Sequence, residues 1–588
     1  MSIFGRYRGI AITVFSFGVV LCNQSAVATI TVPLRSQKGM VVSAHPLASD
    51  VGIAMLRQGG NAIDAAVATT FAISVVEPFS AGIGGGGFLL MHSGETGEIK
   101  ALDFRERAPI KATKDMYLDA TGKVRPNASV NGHLAVATPG TVAGMYEVHR
   151  RYGNLPWQEV MKPAIALAKD GYILSRILSP RYLQVSESSR HPIFDNPAAR
   201  DIFTRNDEFY QPGERLVQHD LARTLTEIAR NPQSFYTGGI AWAIASDMAK
   251  NGGLITLEDL KAYRPIWRTP VCGKFRQAKI CSMPPPSSGG VHLLQMLNII
   301  GETDFKSLGW RHPDALHLMI EAMKIAYADR SVHLGDPDFV KVPVQQLISP
   351  EYAQKRRQEI DMEVAKPASK VQPGNFNSFP TPNSLFPIPT LIKSESTETS
   401  HLTVVDAQRN AISLTFTINL GFGANVVTPG TGIILNNEMD DFAVAPGVPN
   451  AFGLIGNEAN AIAPRKTPLS SMTPTIITEN GRLRMAVGTP GGSTIITQVL
   501  QIILNVLEYE MDIGAAVSVS RIHHQWLPDN LGVERWGLDA LTLQELRRRG
   551  HNIKEINSWG NANAIVVTKD GNLEGAADPR GEGFPRGW

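Results

Sequence analysis

The chain has 588 residues, of which 43% are hydrophobic and 19% charged, so it can bury a large core and lacks the composition of a disordered protein. Its 56 Lys and Arg residues against 54 Asp and Glu residues give a formal charge of +2. A nearly neutral surface disfavours nucleic-acid binding as the main role.

The first 28 residues have the pattern of a secretory signal peptide. Arg6 and Arg8 precede an apolar run over 10–21, and Ala-Val-Ala at 26–28 supplies the small residues of a cleavage site. A membrane anchor is the alternative, but the apolar run is shorter than the ~20 residues that span a bilayer. We therefore predict a periplasmic or secreted protein with no stable membrane anchor after signal removal.

Two cysteines, Cys272 and Cys281, remain after the predicted signal peptide. They flank residues 273–276, which we interpret as a hairpin turn. In an exported protein they could pair across that hairpin, and two independent buried thiols are the alternative. No cluster of Cys and His in the sequence has the spacing of a zinc site.

Hydrophobic periodicity predicts an alternation of helices and strands along the chain, with mostly helix over 140–370. Strand pairs are joined by short turns, so we expect layers of helix and antiparallel sheet rather than βαβ units. The clearest predicted helices are 48–57, 61–76, 157–170, 315–329 and 493–507, and the strands are 88–91, 99–104, 402–406, 412–419, 472–477, 483–487 and 565–568.

A glycine run over 82–87 matches G-x-G-x-x-G literally. A dinucleotide site needs a strand before this motif and a helix after it, whereas here an apolar helix precedes and a strand follows. We expect instead that the glycines let the backbone pass close to a neighbouring element.

Thr399 is the most informative residue of the sequence. It begins a predicted strand after a polar stretch, 374–398, that contains several prolines and has the composition of a flexible linker. If the chain were cut before Thr399, the new N-terminal residue would carry both a hydroxyl nucleophile and an amine base. This placement predicts a self-cleaving amidohydrolase or transferase.

The strand after Thr399 alternates strictly between apolar and polar residues. Ser413, Thr415, Thr417 and Asn419 lie on one face, since side chains repeat every second residue. Solvent exposure would explain such a face. Pairing with the Thr399 strand in one hairpin favours the lining of a site.

Three further segments carry groups suited to an amino-acid substrate. Glycines at 488–493 join a strand to a helix and could present backbone N–H groups to an oxyanion, although a tight turn would also use them. The acidic loop 436–442, the hydroxyls at 469–472 and Arg105-Glu106 could clamp an ammonium and a carboxylate. A solvated surface is the alternative for each one alone.

Together these motifs resemble those of the γ-glutamyltranspeptidases, a family of N-terminal nucleophile hydrolases. The resemblance runs from about Gly39 to Arg580. The matching motifs are Gly60-Asn61-Ala62-Ile63-Asp64-Ala65-Ala66, Gly84–Gly87, Phe104-Arg105-Glu106, Met283–Gly290, Thr399-Ser400-His401, Asn436–Phe442, Pro468–Met472, Pro490-Gly491-Gly492 and Asp578-Pro579-Arg580.

The resemblance implies an α+β fold, a four-layer αββα sandwich, made as an inactive precursor. Cleavage between Glu398 and Thr399 would leave a large subunit, 29–398, and a small subunit, 399–588, interlocked in one domain. No cofactor or metal is implied. The substrates would be glutathione and other γ-glutamyl amides, and the acceptors water, amino acids or dipeptides.

The family's site roles fall on matching positions of this sequence. The implied roles are Thr399 as nucleophile, Thr417 as its orienting partner, Gly491 and Gly492 as the oxyanion hole, Arg105, Ser470 and Ser471 as ligands of the substrate α-carboxylate, and Asn419, Glu438 and Asp441 as ligands of its α-amine.

The sequence departs from the family pattern at three places. Ser400 stands where members often have a second Thr, and the cysteine pair is not a family signature. Phe452 stands where bacterial members commonly have a Tyr whose hydroxyl bonds the substrate-side Asn. This change bears on closure of the lid that follows Asp441 and on the balance of transfer against hydrolysis.

Two other functions are compatible with parts of the pattern. A cephalosporin or glutaryl acylase would share the fold and the threonine, but Arg105, Glu438 and Asp441 together suit an α-amino-acid end. An exported protein that binds amino acids or peptides without turnover would need only the clamp. Cleavage before Thr399 separates the enzymes from the binding protein.

Overall fold

The computed structural model describes residues 30–175, 191–376 and 398–588. The predicted signal peptide, residues 1–28, lies outside the described residues, as does most of the polar stretch before Thr399, residues 377–397. Among the helices within the described ranges, none combines the length and the apolar character needed to cross a bilayer.

One sheet of seven antiparallel strands carries Thr399 at the head of a central strand. The two strands predicted to form a hairpin pair directly, with Leu402 opposite Leu414, which confirms that prediction. We call this the nucleophile sheet. In spatial order its strands are Phe584–Gly587, Met40–Ser43, Ser400–Val405, Ala411–Thr417, Gly86–His92, Ile99–Asp103 and Ile266–Arg268.

A second antiparallel sheet of seven strands faces the first. The strand predicted over 472–477 begins at Thr475, because Pro474 has no N–H to donate to a neighbouring strand. In spatial order the strands are Leu34–Ser36, Leu573–Ala577, Asn563–Val567, Arg482–Gly488, Thr475–Glu479, Ala278–Ser282 and Val271–Phe275.

The cysteine hairpin forms the edge of this second sheet. Cys272 lies opposite Cys281 and the two form a disulfide, so the alternative of independent thiols is wrong. The turn predicted over 273–276 is also wrong in position. The strands continue to Phe275, and Arg276 makes the turn with a φ of +54°.

The two sheets and the helices outside them form four layers. Apolar side chains such as Val42, Phe88 and Ile476 fill the space between the sheets. Helices Pro46–Arg57 and Ala62–Val76 cover the nucleophile sheet, and Gly289–Ile300, Ile495–Leu507 and Ile513–Ser518 cover the other. Every residue of Ala62–Val76 is buried, as its all-round apolar character predicts. The αββα architecture is confirmed.

The region 140–370 is mostly helical, as predicted, but it also supplies the three strands at 266–268, 271–275 and 278–282. The predicted helix 157–170 matches the observed one. The remaining helices are Thr141–Tyr152, Trp157–Asp170, Pro197–Phe203, His219–Arg230, Ser234–Thr237, Gly239–Lys250, Leu257–Ala262, Phe305–Leu308, Pro313–His333, Val344–Leu347, Pro350–Gln358 and Ala540–Arg548.

Short strands and 3-10 turns complete the described part. The short strands are Tyr172–Ile173, Thr204–Arg205, Glu208–Phe209, Arg215–Leu216, Val426–Thr428, Ile433–Leu435, Ile522–His523, Leu531–Glu534 and Ile553–Ile556. The 3-10 turns are His133–Ala135, Pro192–Asp195, Ala368–Lys370, Glu438–Asp441, Glu458–Asn460 and Gly492–Thr494.

The glycine run at 82–87 brings backbones into contact, as expected. A Cβ on Gly84 would lie 2.0 Å from the carbonyl oxygen of Ile434, and one on Gly85 would lie 1.9 Å from that of Thr417. Only glycine allows the chain to pass this close to the end of the Thr417 strand.

Candidate active site

Thr399 lies immediately before the strand Ser400–Val405, with its side chain almost buried at the edge of a cavity. Its hydroxyl donates to the Thr417 hydroxyl at 3.0 Å. The Thr417 oxygen also accepts from the backbone N–H of Asn419 at 2.8 Å, which fixes its orientation. The strand pairing therefore holds the two hydroxyls together.

The backbone at Thr399 is strained. Its φ is +107°, a region that L residues rarely adopt and that is least favourable for a β-branched side chain. Such a conformation costs on the order of 1–3 kcal/mol and needs support from its surroundings. The strain lies at the peptide link that the sequence predicts to be cut.

The polar face of the strand Ala411–Thr417 points into the protein. Ser413, Thr415 and Thr417 are all buried, so the alternative of solvent exposure is wrong. The Ser413 hydroxyl donates to the carbonyl of Val487 at 3.0 Å and ties the strand to the opposite sheet. The polar face therefore fixes the strand that carries Thr417, the hydrogen-bond partner of Thr399.

His401 is a buried support of the nucleophile strand. The Thr403 hydroxyl donates to the carbonyl of Asn563, so it accepts from His401 Nε2, and His401 Nδ1 accepts from the Thr415 hydroxyl at 2.8 Å. Burial lowers the pKa of His401 to about 3. This imidazole is neutral and links its own strand to the strand Ala411–Thr417, while the Thr403 hydroxyl extends the contact to the strand Asn563–Val567.

A buried ion cluster lines the same cavity as Thr399. The Arg105 guanidinium donates to Glu438 Oε1 and to Asp441 Oδ2, each at 2.5 Å, and to the carbonyl of Pro468 at 2.8 Å. Burial alone would lower the pKa of Arg105, but the two carboxylates hold it above its usual value. Burial raises the pKa of both Glu438 and Asp441 despite the Arg105 charge.

Glu106 is a second buried acid, beside this cluster. Within the described residues neither of its carboxyl oxygens has a hydrogen-bond partner. Burial, together with the charge of Glu438, raises its pKa well above the usual range. Glu106 therefore holds its proton more tightly than an exposed carboxyl does. The sequence indicated the Arg105-Glu106 pair. It did not indicate that Arg105 is hydrogen-bonded to two carboxylates whereas the Glu106 carboxyl has no hydrogen-bond partner among the described residues.

The Ser470-Ser471 segment lies beside the ion cluster. The Ser470 backbone N–H donates to the carbonyl of Pro286 at 2.9 Å, which fixes the segment. The Ser471 hydroxyl oxygen accepts from Nη2 of Arg330 at 3.4 Å. Sequence reasoning missed Arg330 and its second partner, Ser288, because only the fold brings them to the serines.

Gly491 and Gly492 form a turn whose conformation requires glycine, with φ values of +133° and +53°. The backbone N–H and the hydroxyl of Thr494 both donate to the carbonyl of Gly491, so the turn is fixed. No acceptor in the described part of the chain takes up the N–H groups of Gly491 and Gly492. Two backbone donors are thus available, and Gly492 lines the same cavity as Thr399.

The segment 446–454 closes one side of the cavity. Asn450 donates to Asp441 Oδ1 at 3.1 Å and accepts from the backbone N–H groups of Phe452 and Leu454. The Phe452 ring lies against Gly492, where a Cβ would come within 2.5 Å of it. The Phe452 ring therefore borders the cavity.

One cavity collects the candidate residues. Of the ten site residues indicated by the sequence, only Gly491 does not line it directly. Four apolar residues complete the wall, namely Phe452, Leu454, Met472 and Ile495. The lining residues from the prediction are Arg105, Thr399, Thr417, Asn419, Glu438, Asp441, Ser470, Ser471 and Gly492.

A separate buried group brings His317, Glu321 and His551 together, with possible metal-ligand atoms within 4.8 Å of one another. These atoms already have protein partners. His317 bonds His551 and the carbonyl of Asp361, each at 2.8 Å, and Glu321 accepts from the Lys324 ammonium at 2.7 Å. The group is therefore a hydrogen-bonded part of the core. The cavity at Thr399 is the candidate active site, because it holds a hydroxyl and charged side chains that a substrate could contact.

Two antiparallel sheets between layers of helix, with a threonine hydroxyl at the head of a central strand, define an N-terminal nucleophile hydrolase. Residues 48–588 match the gamma-glutamyltranspeptidase family, and the chain belongs to that family.

Individual relatives cover nearly the whole chain. The chain is 46% identical to the glutathione hydrolase proenzyme of Escherichia coli (strain K12), over 93% of this chain and 91% of that protein. It is 40% identical to the acylase ACY 1 proenzyme of Pseudomonas sp. (strain V22), over 94% of each chain. The structure superposes on cephalosporin acylase from Bacillus halodurans with a TM-score of 0.83 and 30% identity, over 97% and 99% of the two chains.

Proposed function

We propose that this chain is the precursor of a γ-glutamyltransferase and glutathione hydrolase whose nucleophile is Thr399. The observation that carries the proposal is the Thr399 hydroxyl, bonded to Thr417 at 3.0 Å and facing a cavity that also holds buried groups of both charges. The first step is maturation of the chain itself.

In maturation the Thr399 hydroxyl attacks the carbonyl carbon of Glu398. The C–N bond breaks, the leaving nitrogen takes up the proton of the Thr399 hydroxyl and becomes the free α-amine, and Glu398 becomes an ester on the Thr399 oxygen. Water then hydrolyses this ester and leaves chains 29–398 and 399–588. The strained φ of Thr399 favours the step, because cleavage removes the constraint on its backbone. Relatives whose names contain "proenzyme" support a processed form.

In turnover the freed α-amine of Thr399 accepts the proton of its own hydroxyl. Such amines titrate near ~7.7–8.0, so the amine is a competent base near neutrality. The oxygen attacks the γ-carbonyl of the donor, and the N–H groups of Gly491 and Gly492 stabilise the oxyanion. The amine proton passes to the leaving group, and water or an acceptor amine resolves the γ-glutamyl ester.

Selectivity comes from the two ends of the clamp. Arg105, Ser470 and Ser471 hold the α-carboxylate of the donor, and Asn419, Glu438 and Asp441 hold its α-amine. A donor without either group leaves a buried charge unmatched, which costs several kcal/mol. Glutathione is the expected donor, in line with the name of the E. coli relative, and amino acids, dipeptides or water are the acceptors.

We place the enzyme in the periplasm or the medium. The pattern of residues 1–28 is that of a signal peptide. The disulfide between Cys272 and Cys281 agrees with this location, because such bonds persist in oxidising compartments.

An acylase is the second candidate, since the chain is 40% identical to a protein of that name. The buried carboxylates Glu438 and Asp441 favour a donor that carries an α-amine, which a glutaryl group lacks. Rates on γ-glutamyl-p-nitroanilide and glutaryl-p-nitroanilide separate the two. We expect a preference for the γ-glutamyl donor, and the reverse preference would favour the acylase.

The first prediction concerns Thr399 itself. Purified wild-type protein should run as two bands on a denaturing gel, whereas Thr399→Ala should stay one chain and be inactive. Thr399→Ser keeps the hydroxyl and serves as the matched control, which should mature and retain part of the activity. An intact wild-type chain that binds amino acids without turnover would support the binding-protein alternative.

A further inference from the structure

Arg330 is a buried arginine behind the candidate carboxylate subsite. It lies in the last turn of the helix Pro313–His333, with 5% of its surface exposed. Its Nε donates to the Ser288 hydroxyl at 3.1 Å and its Nη2 to the Ser471 hydroxyl at 3.4 Å. In the described part of the chain no carboxylate oxygen lies within 4.0 Å of its guanidinium. A buried cation without an ion-pair partner needs an explanation.

Arg330 adds a second positive charge beside the two acids of the ion cluster. Arg105 already donates to two carboxylates, Glu438 and Asp441, so its positive charge is matched within the empty site. When both acids are ionised they carry two negative charges, and Arg105 alone supplies one positive charge. Arg330 supplies the second, and burial lowers its pKa only to about 10, so it stays charged at neutral pH.

The hydrogen bonds of Arg330 also fix the two serines. Ser471 Oγ accepts from Arg330, so its own O–H remains available to donate into the cavity that Ser471 lines. Ser288 Oγ accepts from Arg330 and donates to the carbonyl of Ser470 at 2.8 Å. One guanidinium thus orients both residues of the Ser470-Ser471 segment.

We propose that Arg330 is a positioning residue for the α-carboxylate of the donor: it orients the Ser471 hydroxyl toward the carboxylate and adds its positive charge to that of Arg105, which Glu438 and Asp441 already share. The inference rests on the proposed function and deepens it. A substrate carboxylate bound at Ser470 and Ser471 would lie one hydroxyl away from Arg330 and would match its charge.

The test compares two donors in two variants. Arg330→Met removes the charge at similar length, and Arg330→Lys keeps it without the planar fork. The donors are L-γ-glutamyl-p-nitroanilide and 4-aminobutyryl-p-nitroanilide, which differ only in the α-carboxylate. We expect Arg330→Met to raise KM for the γ-glutamyl donor by about 10- to 100-fold with little change in kcat, and to leave KM for the other donor unchanged. Arg330→Lys should lie between wild type and Arg330→Met.

Controls separate this role from a structural one. Arg356 is a buried arginine on another helix, outside the cavity, and Arg356→Met should leave the preference between the two donors unchanged. The gel bands and Tm of each variant report folding. If Arg330→Met does not mature, Arg330→Lys decides the question through its selective rise in KM for the γ-glutamyl donor.

Equal losses on both donors, or a fall in kcat alone, would overturn the positioning role while the proposed function stands. A wild-type enzyme without activity on γ-glutamyl-p-nitroanilide would overturn the proposed function and this inference with it.

Discussion

Glu438 is a site residue whose charge changes with pH near neutrality. Burial raises its pKa to about 7, and the charge of Asp441 adds to this, while Arg105 opposes both. Because the raised pKa belongs to an acid, the carboxylate is present above about pH 7 and is neutralised below it. A neutral Glu438 cannot pair with the ammonium of the donor.

We therefore predict that kcat/KM falls steeply on the acid side, since both Glu438 and the Thr399 amine must lose a proton to act. In Glu438→Gln the slope of log kcat/KM against pH should decrease by about one unit, because one titrating group is removed. The measurement is a pH profile from 5 to 9 on γ-glutamyl-p-nitroanilide. Identical slopes would show that Glu438 does not control donor binding.

Phe452 sets a second prediction at the residue scale. Its ring lies against Gly492 and lines the same cavity as Asn419. Phe452→Tyr adds a hydroxyl that can form a hydrogen bond with the Asn419 side chain. This bond would hold the segment 446–454 more firmly over the cavity and exclude water from it. One such bond contributes about 0.5–1.5 kcal/mol, so we expect the ratio of transfer to hydrolysis to rise about 2- to 10-fold with glycylglycine as acceptor. An unchanged ratio, equal to that of Phe452→Leu, would contradict this.

Most of the individual site residues could be predicted, because the functional group of each side chain indicates the chemistry it can perform. Threonine at the head of a strand, paired serines and an acidic loop are visible in the sequence. Arg330 was not, since a basic residue in the last turn of a helix is ordinary and favourable on any surface. Its burial and its contacts to Ser288 and Ser471 exist only in the folded chain.

At the scale of elements, the glycine run at 82–87 positions the strand that carries Thr417. A Cβ on Gly85 would lie 1.9 Å from the Thr417 carbonyl oxygen, whereas the nearest atom to a Cβ on Gly82 would be 3.8 Å away. The two glycines are three residues apart and differ mainly in this clearance.

We predict that Gly85→Ala displaces the Thr417 backbone, lowers Tm and blocks maturation, because neither backbone can move without breaking strand pairs. Gly82→Ala should mature and keep its activity. Thermal unfolding and a denaturing gel on both variants are the measurements. A stable, fully processed Gly85→Ala protein would show that the close contact is not required.

The observed strands and helices agree with the predicted ones where the sequence has a strong hydrophobic periodicity. Strict alternation located the hairpin of 400–405 and 411–417 to within about two residues of each predicted end. Failures came from single residues. Because Pro474 cannot donate a backbone hydrogen bond, the strand predicted from 472 begins at Thr475. The cysteine hairpin turns at Arg276, whose φ of +54° is uncommon for an arginine and could not be predicted from the residue type.

At the scale of the whole molecule, both sheets mix strands from the two sides of the 398–399 link. The nucleophile sheet takes four strands from before it and three from after it, and the second sheet takes three and four. The only disulfide of the described chain, Cys272–Cys281, lies within the first part. The two chains would therefore stay together through strand pairing and the shared core, without a covalent link. Sequence order alone did not reveal this mixing, because it depends on which strands become neighbours.

The most direct test of the account is the mass of the active enzyme under denaturing conditions, combined with N-terminal sequencing of its smaller chain. We predict two chains, the smaller beginning at Thr399, and activity that appears in step with this cleavage. A fully active protein whose link between Glu398 and Thr399 is intact would contradict the account.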